Sequence, residues 1–407
     1  MTDGAGIPGH TGAGTGGTPP PRRRRRLLRW IGLGLVLLVL AGAATGWWVY
    51  RKLEGNIKED TSAAAELRRY DRERPVHVVD GAQNVLLIGS DSRSGKENAG
   101  YGQDAGTQRS DTAILLHLPA DRLSATAVSL PRDLMTTVPS CLKPDGSRTT
   151  EQLAQFNWAF EWGGAGCTVR TVETLTGIRV DHYVVVDFGG FKKVVDAVGG
   201  VEVCLKAPVD DTEARLKLPA GRQTLQGEQA LGFVRARHSL GDGSDTERMD
   251  RQQEFLGSLV KKVQSNGVLL NPARLYPLLD AATSSVTTDA GLASLRGLYE
   301  LVRGIRDIPT DRINFLTVPR RPYAADPNRD ELAEPDAERL FRQLRMDEPV
   351  TVVPPAPVDQ REQVAGTGTP EGTGAGSGSP TEGTGTTASA SPVPAFTGTT
   401  AGTATCR

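Results

Sequence analysis

Hydrophobic positions along the chain form one long uninterrupted run and a series of short runs separated by polar and turn-forming residues. The long run, WIGLGLVLLVLAGAATGWWVY at positions 30–50, contains no charged residue. As a helix it would be about 30 Å long, which matches the hydrocarbon thickness of a bilayer. Trp30 at one end, and Trp47, Trp48 and Tyr50 at the other, are typical of membrane interfaces. The pattern therefore predicts a transmembrane helix.

A basic segment comes directly before this run, with six arginines between positions 22 and 29. Positive flanks of membrane helices stay in the cytoplasm, so we expect residues 1–29 inside the cell and the chain after Tyr50 outside. A cleaved signal peptide and a buried core helix are the alternatives. The run is longer than the apolar region of a signal peptide, and its flank carries bulky Trp residues rather than an A-x-A cleavage site, which favours an anchor at residues 30–50.

Short apolar runs ended by turn or charged residues follow from residue 84 onwards and predict buried strands at 84–90, 113–118, 125–130, 183–187, 201–205 and 313–318. Helical spacing predicts helices at 167–176, 188–198, 226–234, 247–264, 272–284 and 292–306. Strands interleaved with helices predict an α/β layered domain around a mixed sheet.

Composition divides the rest of the chain. Residues 1–29 and 351–407 are poor in large apolar side chains outside the basic flank, so we expect both to be disordered. Residues 51–80 mix charges with Ala and Leu and predict a helical stalk. Residues 81–350 remain for one large extracytoplasmic domain, long enough for a substantial core.

The chain has four cysteines and no CxxC pair. In an oxidising environment outside the cell, Cys141 and Cys167 are expected to form a disulfide that closes a loop rich in Gly and polar residues. Cys204 lies in VEVCL, a predicted strand, and is interpreted as a small unpaired apolar residue. Cys406 lies in the predicted tail and has no assigned role.

Candidate chemistry comes from five clusters of charged and polar residues at predicted strand ends and at the start of a helix, where α/β folds bind ligands. The clusters are Asp91 with Arg93, Arg109 with Asp111, Arg132 with Asp133, Arg235 with Arg237, and Arg248 with Arg251 and Gln252. Arg235 and Arg237 would share a face if their segment is extended, and Arg248 and Gln252 are neighbours on a helix.

Arginine grips phosphate oxygens with two parallel hydrogen bonds and stays charged. Carboxylates among arginines fit a hard cation such as Mg²⁺ that bridges them to a phosphate. The combination indicates a bound pyrophosphate. Solvated salt bridges are the more common explanation for any single Arg–Asp pair, but five clusters in one domain weigh against it. The sequence has no P-loop, GxSxG or HExxH motif, so a covalent or zinc-based mechanism has no support.

These motifs, in this order, resemble the LytR–CpsA–Psr family of cell-wall glycopolymer ligases, actinobacterial members in particular. The resemblance covers about residues 81–263 and is carried by NVLLIGSDSR (84–93), RSDT (109–112), SLPRD (129–133), the stretch from Asn157 to 203, and FVRARHSLGDGSDTERMDRQQ (233–253). It implies a three-layer α/β/α domain with a central mixed sheet and an apolar pocket for a polyprenyl chain.

The resemblance also implies an activity. The family transfers a glycan with one phosphate from a polyprenyl-pyrophosphate carrier to a hydroxyl of peptidoglycan and releases polyprenyl phosphate. The residues implied to bind the pyrophosphate are Arg132, Arg235, Arg237, Arg248 and Gln252. Asp91 and Asp111 would hold Mg²⁺ or Mn²⁺, Arg109 would stabilise charge between them, and either aspartate would act as the general base.

The expected partners are the lipid-linked glycan, peptidoglycan and membrane lipid, without nucleic acid. Two other functions stay open at this point. A polyprenyl-pyrophosphate hydrolase would use the same residues with water as the acceptor. A non-catalytic regulatory or binding protein is the second alternative, although the sequence has no helix-turn-helix or basic recognition helix.

Overall fold

The computed structural model divides into two compact units, residues 1–52 and residues 53–407. The residues whose structure is described are 22–91, 110–236, 245–265, 272–354 and 395–403. The helices are α1 (Arg22–Asn56), α2 (Thr61–Arg69), α3 (Asn157–Thr176), α4 (Phe188–Ala197), α5 (Gly227–Arg235), α6 (Asp245–Ser265), α7 (Pro272–Ser284), α8 (Leu295–Arg306) and α9 (Asp336–Arg345).

The strands of the main sheet are β1 (Lys58–Glu59), β2 (Gln83–Ser90), β3 (Ser110–Leu118), β4 (Ala125–Leu130), β7 (His182–Asp187), β12 (Val286–Thr288), β13 (Ile313–Thr317), β16 (Thr351–Val353) and β17 (Ala395–Thr400). The strands of four two-stranded sheets are β5 (Met135–Val138) with β6 (Gln152–Gln155), β8 (Val201–Leu205) with β11 (Gly221–Leu225), β9 (Val209–Asp211) with β10 (Leu216–Leu218), and β14 (Arg320–Tyr323) with β15 (Asp326–Leu332).

Helix α1 is long and apolar enough to cross a membrane from Arg29 onwards, by length and composition. Its apolar side chains between Trp30 and Tyr50 are exposed over the helix surface. A helix that is hydrophobic all round needs an apolar environment, which a bilayer supplies. The helix begins at Arg22, so the expectation of disorder through residue 29 is wrong for residues 22–29.

The main sheet is mixed, with the strand order β1-β12-β7-β2-β3-β4-β13-β17-β16. Consecutive residues of β3 point to opposite faces. Leu115 joins a core with Val172 of α3 and Leu340 of α9, whereas Ile114 joins a core with half-buried Leu256 of α6 and Leu301 of α8. Helices therefore cover both faces, and the predicted three-layer α/β/α architecture is confirmed.

A further apolar core lies outside these layers. It is formed by α4, α5, α6 and α7 together with the two small hairpin sheets β8–β11 and β9–β10, and Val195, Val203, Leu216, Phe233 and Phe255 are among its buried members. Phe255 is central to it, with ring centroids 5.6 Å from Phe191 and 6.3 Å from Phe233. We call this set of residues the α4–α7 core.

The segment predicted as a stalk is folded into the domain. Ala63 and Leu67 of α2 belong to the same core as α3, and a Cβ at Gly166 of α3 would lie 3.0 Å from the backbone of Ala63. The two helices approach closely because Gly166 has no side chain. The stalk interpretation is therefore wrong for α2.

A buried ion cluster joins α2 to the loop before α3. Glu66, whose side chain is 5% exposed, accepts hydrogen bonds from Arg148 at 2.6 Å and from Arg170 at 3.2 Å. Burial alone raises the pKa of the Glu66 carboxyl, but the hydrogen bonds and charges of the two arginines outweigh it and hold the pKa below its ordinary range. Arg170 also stacks on the Tyr70 ring, 3.5 Å from its centroid.

The predicted disulfide between Cys141 and Cys167 is present. It packs at a break in α3, where a Cβ at Gly163 would lie 2.8 Å from the Cβ of Cys167. Cys204 is also disulfide-bonded, so its interpretation as an unpaired apolar residue is wrong. Cys406 lies outside the described residues.

The end of the chain contributes to the main sheet. Strand β17 pairs antiparallel with β13 and parallel with β16, and its Phe396 is buried. A Cβ at Gly398 would lie 2.4 Å from the carbonyl oxygen of Phe315, so only glycine fits this position. The expectation of disorder from 351 to the end is wrong for residues 351–353 and 395–403.

We expect Glu66→Gln to lower the free energy of unfolding at neutral pH by about 3 kcal/mol, because two arginines lose the charge that compensates them. Since the folded-state pKa is lowered, the stabilisation by Glu66 is present above its ordinary pKa and is lost as the pH falls through the folded value. Unfolding of the detergent-solubilised chain at several pH values measures both effects.

The matched control is Arg296→Ala, which breaks an ion pair with Glu300 whose side chains are 87% and 62% exposed. An exposed pair contributes less than about 0.5 kcal/mol, so this variant should unfold like wild type. Equal unfolding of Glu66→Gln and wild type at neutral pH would contradict the role of the ion cluster.

Candidate functional site

Strand direction brings the predicted site residues to one edge of the sheet. Strands β2, β4, β7 and β13 run the same way, and β3 runs opposite to β2 and β4. The end of β2 at Ser90 pairs with Ser110 at the start of β3 and with Asp187 at the end of β7. Asp91 comes directly after β2, Asp111 is the second residue of β3, and Arg132 comes two residues after the end of β4. The three residues therefore lie along the same edge.

Asp111 occupies an irregular position of β3. Thr112 pairs with Gly89 and Ser110 pairs with Ser90, which leaves Asp111 as the extra residue of a β-bulge. Bulges redirect a side chain out of the regular ladder and are common beside active sites. The Asp111 side chain is 34% exposed, and its Oδ1 lies 3.4 Å from Nη1 of Arg132.

Arg132 lies in the loop after β4, and both its side chain and its backbone form hydrogen bonds. Its Nε donates to Oδ2 of Asp133 at 3.0 Å, and its carbonyl oxygen accepts from the backbone N–H of Asn157, the first residue of α3, at 3.0 Å. Gln155 donates to the other Asp133 oxygen at 3.3 Å. The guanidinium is therefore positioned between Asp111 and Asp133 while its side chain stays 23% exposed.

Arg235 is the last residue of α5, and its guanidinium carbon lies 4.6 Å from the centroid of the Phe188 ring. Phe188 follows the end of β7 and begins α4. The extended conformation considered for this segment does not apply at Arg235, because the chain leaves the helix only at Ala236. The Phe188 ring thus makes a cation–π contact with the guanidinium between the end of β7 and the α4–α7 core.

Helix α6 carries the remaining predicted residues and confirms that Arg248 and Gln252 are one turn apart. Arg248 is buried. Gln252 bridges two elements, since its Nε2 donates to the carbonyl of Val234 at 3.1 Å and its Oε1 accepts from the Thr112 hydroxyl at 3.4 Å. Arg251 donates to the carbonyl of Ala236. Helix α6 thereby ties α5 to the start of β3.

Two residues of this region were not identified from the sequence. Gln253 is buried and donates to the hydroxyls of Ser129 in β4 and Thr317 in β13, each at 3.0 Å, so it holds α6 against two strand ends. Its position next to Gln252 in the sequence could have indicated its role. Phe188 is the second residue that was not identified, and its position directly after a predicted strand could have indicated it.

Arg93, Arg109 and Arg237 lie outside the described residues. Among the residues that the structure describes, no group of three or more His, Cys, Asp or Glu side chains is arranged to hold a metal ion. Mg²⁺ is commonly bound by one or two carboxylates, with phosphate oxygens and water as its other ligands. Asp91 and Asp111 on neighbouring strand ends suit that mode of binding.

A model of the LytR_cpsA_psr family matches residues 53–345 of the chain. LcpA of Corynebacterium glutamicum, a cell wall biosynthesis protein, is 37% identical over 268 residues, covering 60% of this chain and 51% of LcpA. LcpB of the same organism, a probable cell wall biosynthesis protein, is 39% identical over 236 residues, covering 56% of this chain and 54% of LcpB. The chain spans about half the length of these relatives.

TagV of Bacillus subtilis, a polyisoprenyl-teichoic acid–peptidoglycan teichoic acid transferase, is 28% identical over 312 residues, covering 75% of this chain and 74% of TagV. The crystal structure of TagV superposes with a TM-score of 0.53 at 25% identity and covers 67% of this chain and 100% of that chain. A LytR-Csp2A-Psr enzyme from Actinomyces oris has the same fold, with a TM-score of 0.53 at 22% identity over 67% of this chain and 93% of that chain.

We expect Gln253→Leu to destabilise the protein by about 2 kcal/mol, because the hydroxyls of Ser129 and Thr317 lose their shared donor. Thermal unfolding of the purified chain measures this loss. Gln152→Leu, on the exposed side of β6, is the matched control and should change stability by less than about 0.5 kcal/mol. Identical unfolding of the two variants would show that Gln253 does not anchor α6.

Proposed function

Because this chain belongs to the LytR_cpsA_psr family, we propose that it attaches a glycopolymer to peptidoglycan, taking it from a polyprenyl-pyrophosphate carrier. The product would be a phosphodiester, and polyprenyl phosphate would be released. TagV, the relative that acts on polyisoprenyl-linked teichoic acid, and the two cell wall biosynthesis proteins support this function by their names.

The observation that carries the proposal is the convergence of two arginines and two aspartates at one edge of the sheet, beside an apolar core. Arg132 pairs with Asp111 at this edge, and Arg235 contacts the Phe188 ring beside the α4–α7 core. A polyprenyl pyrophosphate has the same division into an anionic head and an apolar tail. The head would be held at the arginines and the tail would follow the α4–α7 core.

The contacts of Arg132 suit phosphoryl transfer. Its guanidinium is held by Asp111 and Asp133 before substrate binds, so little reorganisation is needed when negative charge develops on the phosphate. Arg235 is similarly preorganised by the Phe188 ring. Positioning and charge neutralisation are the main contributions of proteins to phosphoryl transfer, and no protein nucleophile is required.

The proposed reaction is a single displacement. The oxygen of a peptidoglycan hydroxyl attacks the phosphorus next to the glycan, and the bond from that phosphorus to the bridging oxygen breaks. The electron pair leaves with polyprenyl phosphate, and the hydroxyl proton passes to Asp91 or Asp111. Mg²⁺ or Mn²⁺ held by these aspartates would neutralise charge on the phosphate oxygens.

The N-terminal helix supplies the proposed location. The arginines before Trp30 support a cytoplasmic N-terminus by the positive-inside rule, and the unit that begins at Leu53 would then lie outside the cell. Peptidoglycan hydroxyls are available on that side. We therefore propose a single-pass membrane protein with its α/β domain outside.

The purified full chain should be incubated with lipid-linked glycan, Mg²⁺ and peptidoglycan fragments, with mass spectrometry of the products. Transfer predicts a glycan–phosphate–peptidoglycan adduct and an equal amount of polyprenyl phosphate, with turnover that requires the acceptor. Release of glycan phosphate at the same rate without acceptor would instead show a hydrolase, and absence of any turnover would support a binding protein.

We expect Arg132→Ala, Arg235→Ala and Arg237→Ala each to lower transfer by about tenfold or more, because each removes a charge-assisted contact to phosphate. Asp111→Ala should lower both the rate and its dependence on Mg²⁺. Arg222→Ala, which removes an exposed pair with Glu202, is the control and should retain wild-type transfer. Folded variants with wild-type rates would remove these residues from the site.

A further inference from the structure

Helix α8 exposes large apolar side chains even though it also contributes to the core. Leu298, Leu301 and Ile305 pack against the buried residues of the domain. Tyr299 and Val302 nevertheless are 62% and 49% exposed. They are three positions apart and share one stripe of the helix, next to the buried face. The helix therefore presents a second apolar surface that the domain itself does not cover.

Basic residues flank this exposed stripe. Arg296, Arg303 and Arg306 are exposed, and Glu300 is the acidic residue of the helix, which gives α8 a net charge of +2. Arg306 follows Val302 by one turn on the same stripe, and Arg303 lies beside it. Aromatic and aliphatic side chains bordered by arginines are characteristic of helices that lie in the surface of a membrane.

The last residues of α1, which follow the predicted membrane span in the chain, form hydrogen bonds with α7 and α8. The Glu54 carboxylate accepts a hydrogen bond from the backbone N–H of Leu295, the first residue of α8, at 3.0 Å. Asn56 donates to Asp280 of α7 at 3.0 Å. Three residues lie between Tyr50 and Glu54, so the chain that joins them is four residue steps, at most about 14 Å, long.

We propose that α8 lies on the outer surface of the lipid bilayer, with Tyr299 and Val302 among the headgroups and Arg303 and Arg306 on anionic lipid phosphates. This inference rests on the membrane anchoring in the proposed function. The tether supplies a high local concentration of lipid, so even a short amphipathic helix stays bound. Such contact holds the α/β domain beside the bilayer that contains a lipid-linked donor.

A second copy of the chain is the competing occupant of the same surface. Anionic lipid is favoured by the charge of α8 and by the covalent proximity of the membrane span. A copy of this chain would need an acidic, apolar surface complementary to α8, whereas the bilayer surface is present beside every anchored copy.

The first test uses amide hydrogen exchange of residues 295–306 in the full chain, reconstituted into nanodiscs of phosphatidylcholine alone or with phosphatidylglycerol. We expect exchange about tenfold slower in the anionic discs for wild type. In the double variant Arg303→Gln with Arg306→Gln, each substitution should lower this tenfold ratio of exchange rates by about fivefold. The two kinds of disc should then give equal exchange. Tyr299→Ser with Val302→Ser should speed exchange in both discs.

The matched control is Val76→Ser with Val78→Ser, two exposed apolar residues on a different segment, which should leave the exchange of α8 as in wild type. Comparing each variant between the two kinds of disc cancels any change in the intrinsic stability of the helix. Equal exchange of wild-type α8 in neutral and anionic discs would overturn the inference.

The second test identifies the occupant directly, with p-benzoylphenylalanine incorporated at position 299 of the anchored chain. A lipid adduct after irradiation supports the inference, and a cross-linked dimer or no adduct overturns it. Glycan transfer measured on the same nanodiscs separates the two proposals. Glycan transfer without a lipid adduct at position 299 would reject only the proposal that α8 contacts lipid. A lipid adduct without glycan transfer would reject only the proposed enzymatic function.

Discussion

The direction of neighbouring strands is the constraint on which the rest of this structure depends. Strand β3 runs antiparallel to β2 and β4, so its first residues meet their last residues at one edge of the sheet. Backbone hydrogen bonding sets this arrangement, and a shift of one residue would turn each side chain to the other face. The charged residues at these ends therefore gather in one place although they are far apart in the sequence.

The bulge at Asp111 and the hydrogen bonds of Gln253 set the positions of side chains at this edge. The bulge moves one carboxylate out of the regular ladder to a position 3.4 Å from Arg132. Gln253 links α6, the helix that carries Arg248 and Gln252, to the ends of β4 and β13. The charged side chains are therefore ordered before substrate binds. The free-energy cost of ordering them arises when the protein folds and does not reduce the affinity for substrate.

The segment after the membrane helix is an integral part of the domain. Glu66 in α2 compensates two arginines beside the Cys141–Cys167 disulfide, while Glu54 and Asn56 contact α8 and α7. The first of these contacts is made by Glu54, four positions after Tyr50 in the chain. In both proposals the bilayer that would hold the N-terminal helix supplies the partner, as the source of the lipid-linked substrate and as the surface on which α8 would lie.

The sequence alone determined the local features of this protein. Uninterrupted hydrophobicity identified the membrane-spanning candidate, and short apolar runs located β4 and β8 to the residue. Both features depend on neighbours in the chain, so composition and periodicity suffice to detect them. The expected oxidising location and the Gly-rich, polar segment between Cys141 and Cys167 predicted their disulfide. The family motifs added the expectation of a three-layer fold, which is confirmed.

Tertiary structure alone decided the features that depend on distant partners. Strand β17 forms despite its Gly- and Thr-rich sequence, because β13 and β16 supply its hydrogen bonds and Gly398 permits their close approach. Helix α2 became core rather than stalk because Gly166 of α3 makes room for Ala63. Arg235 ends a helix, and its position against Phe188 follows from the packing of α5 on α4. Such pairings leave no periodic signal in either segment, since their energy arises only when both surfaces are present.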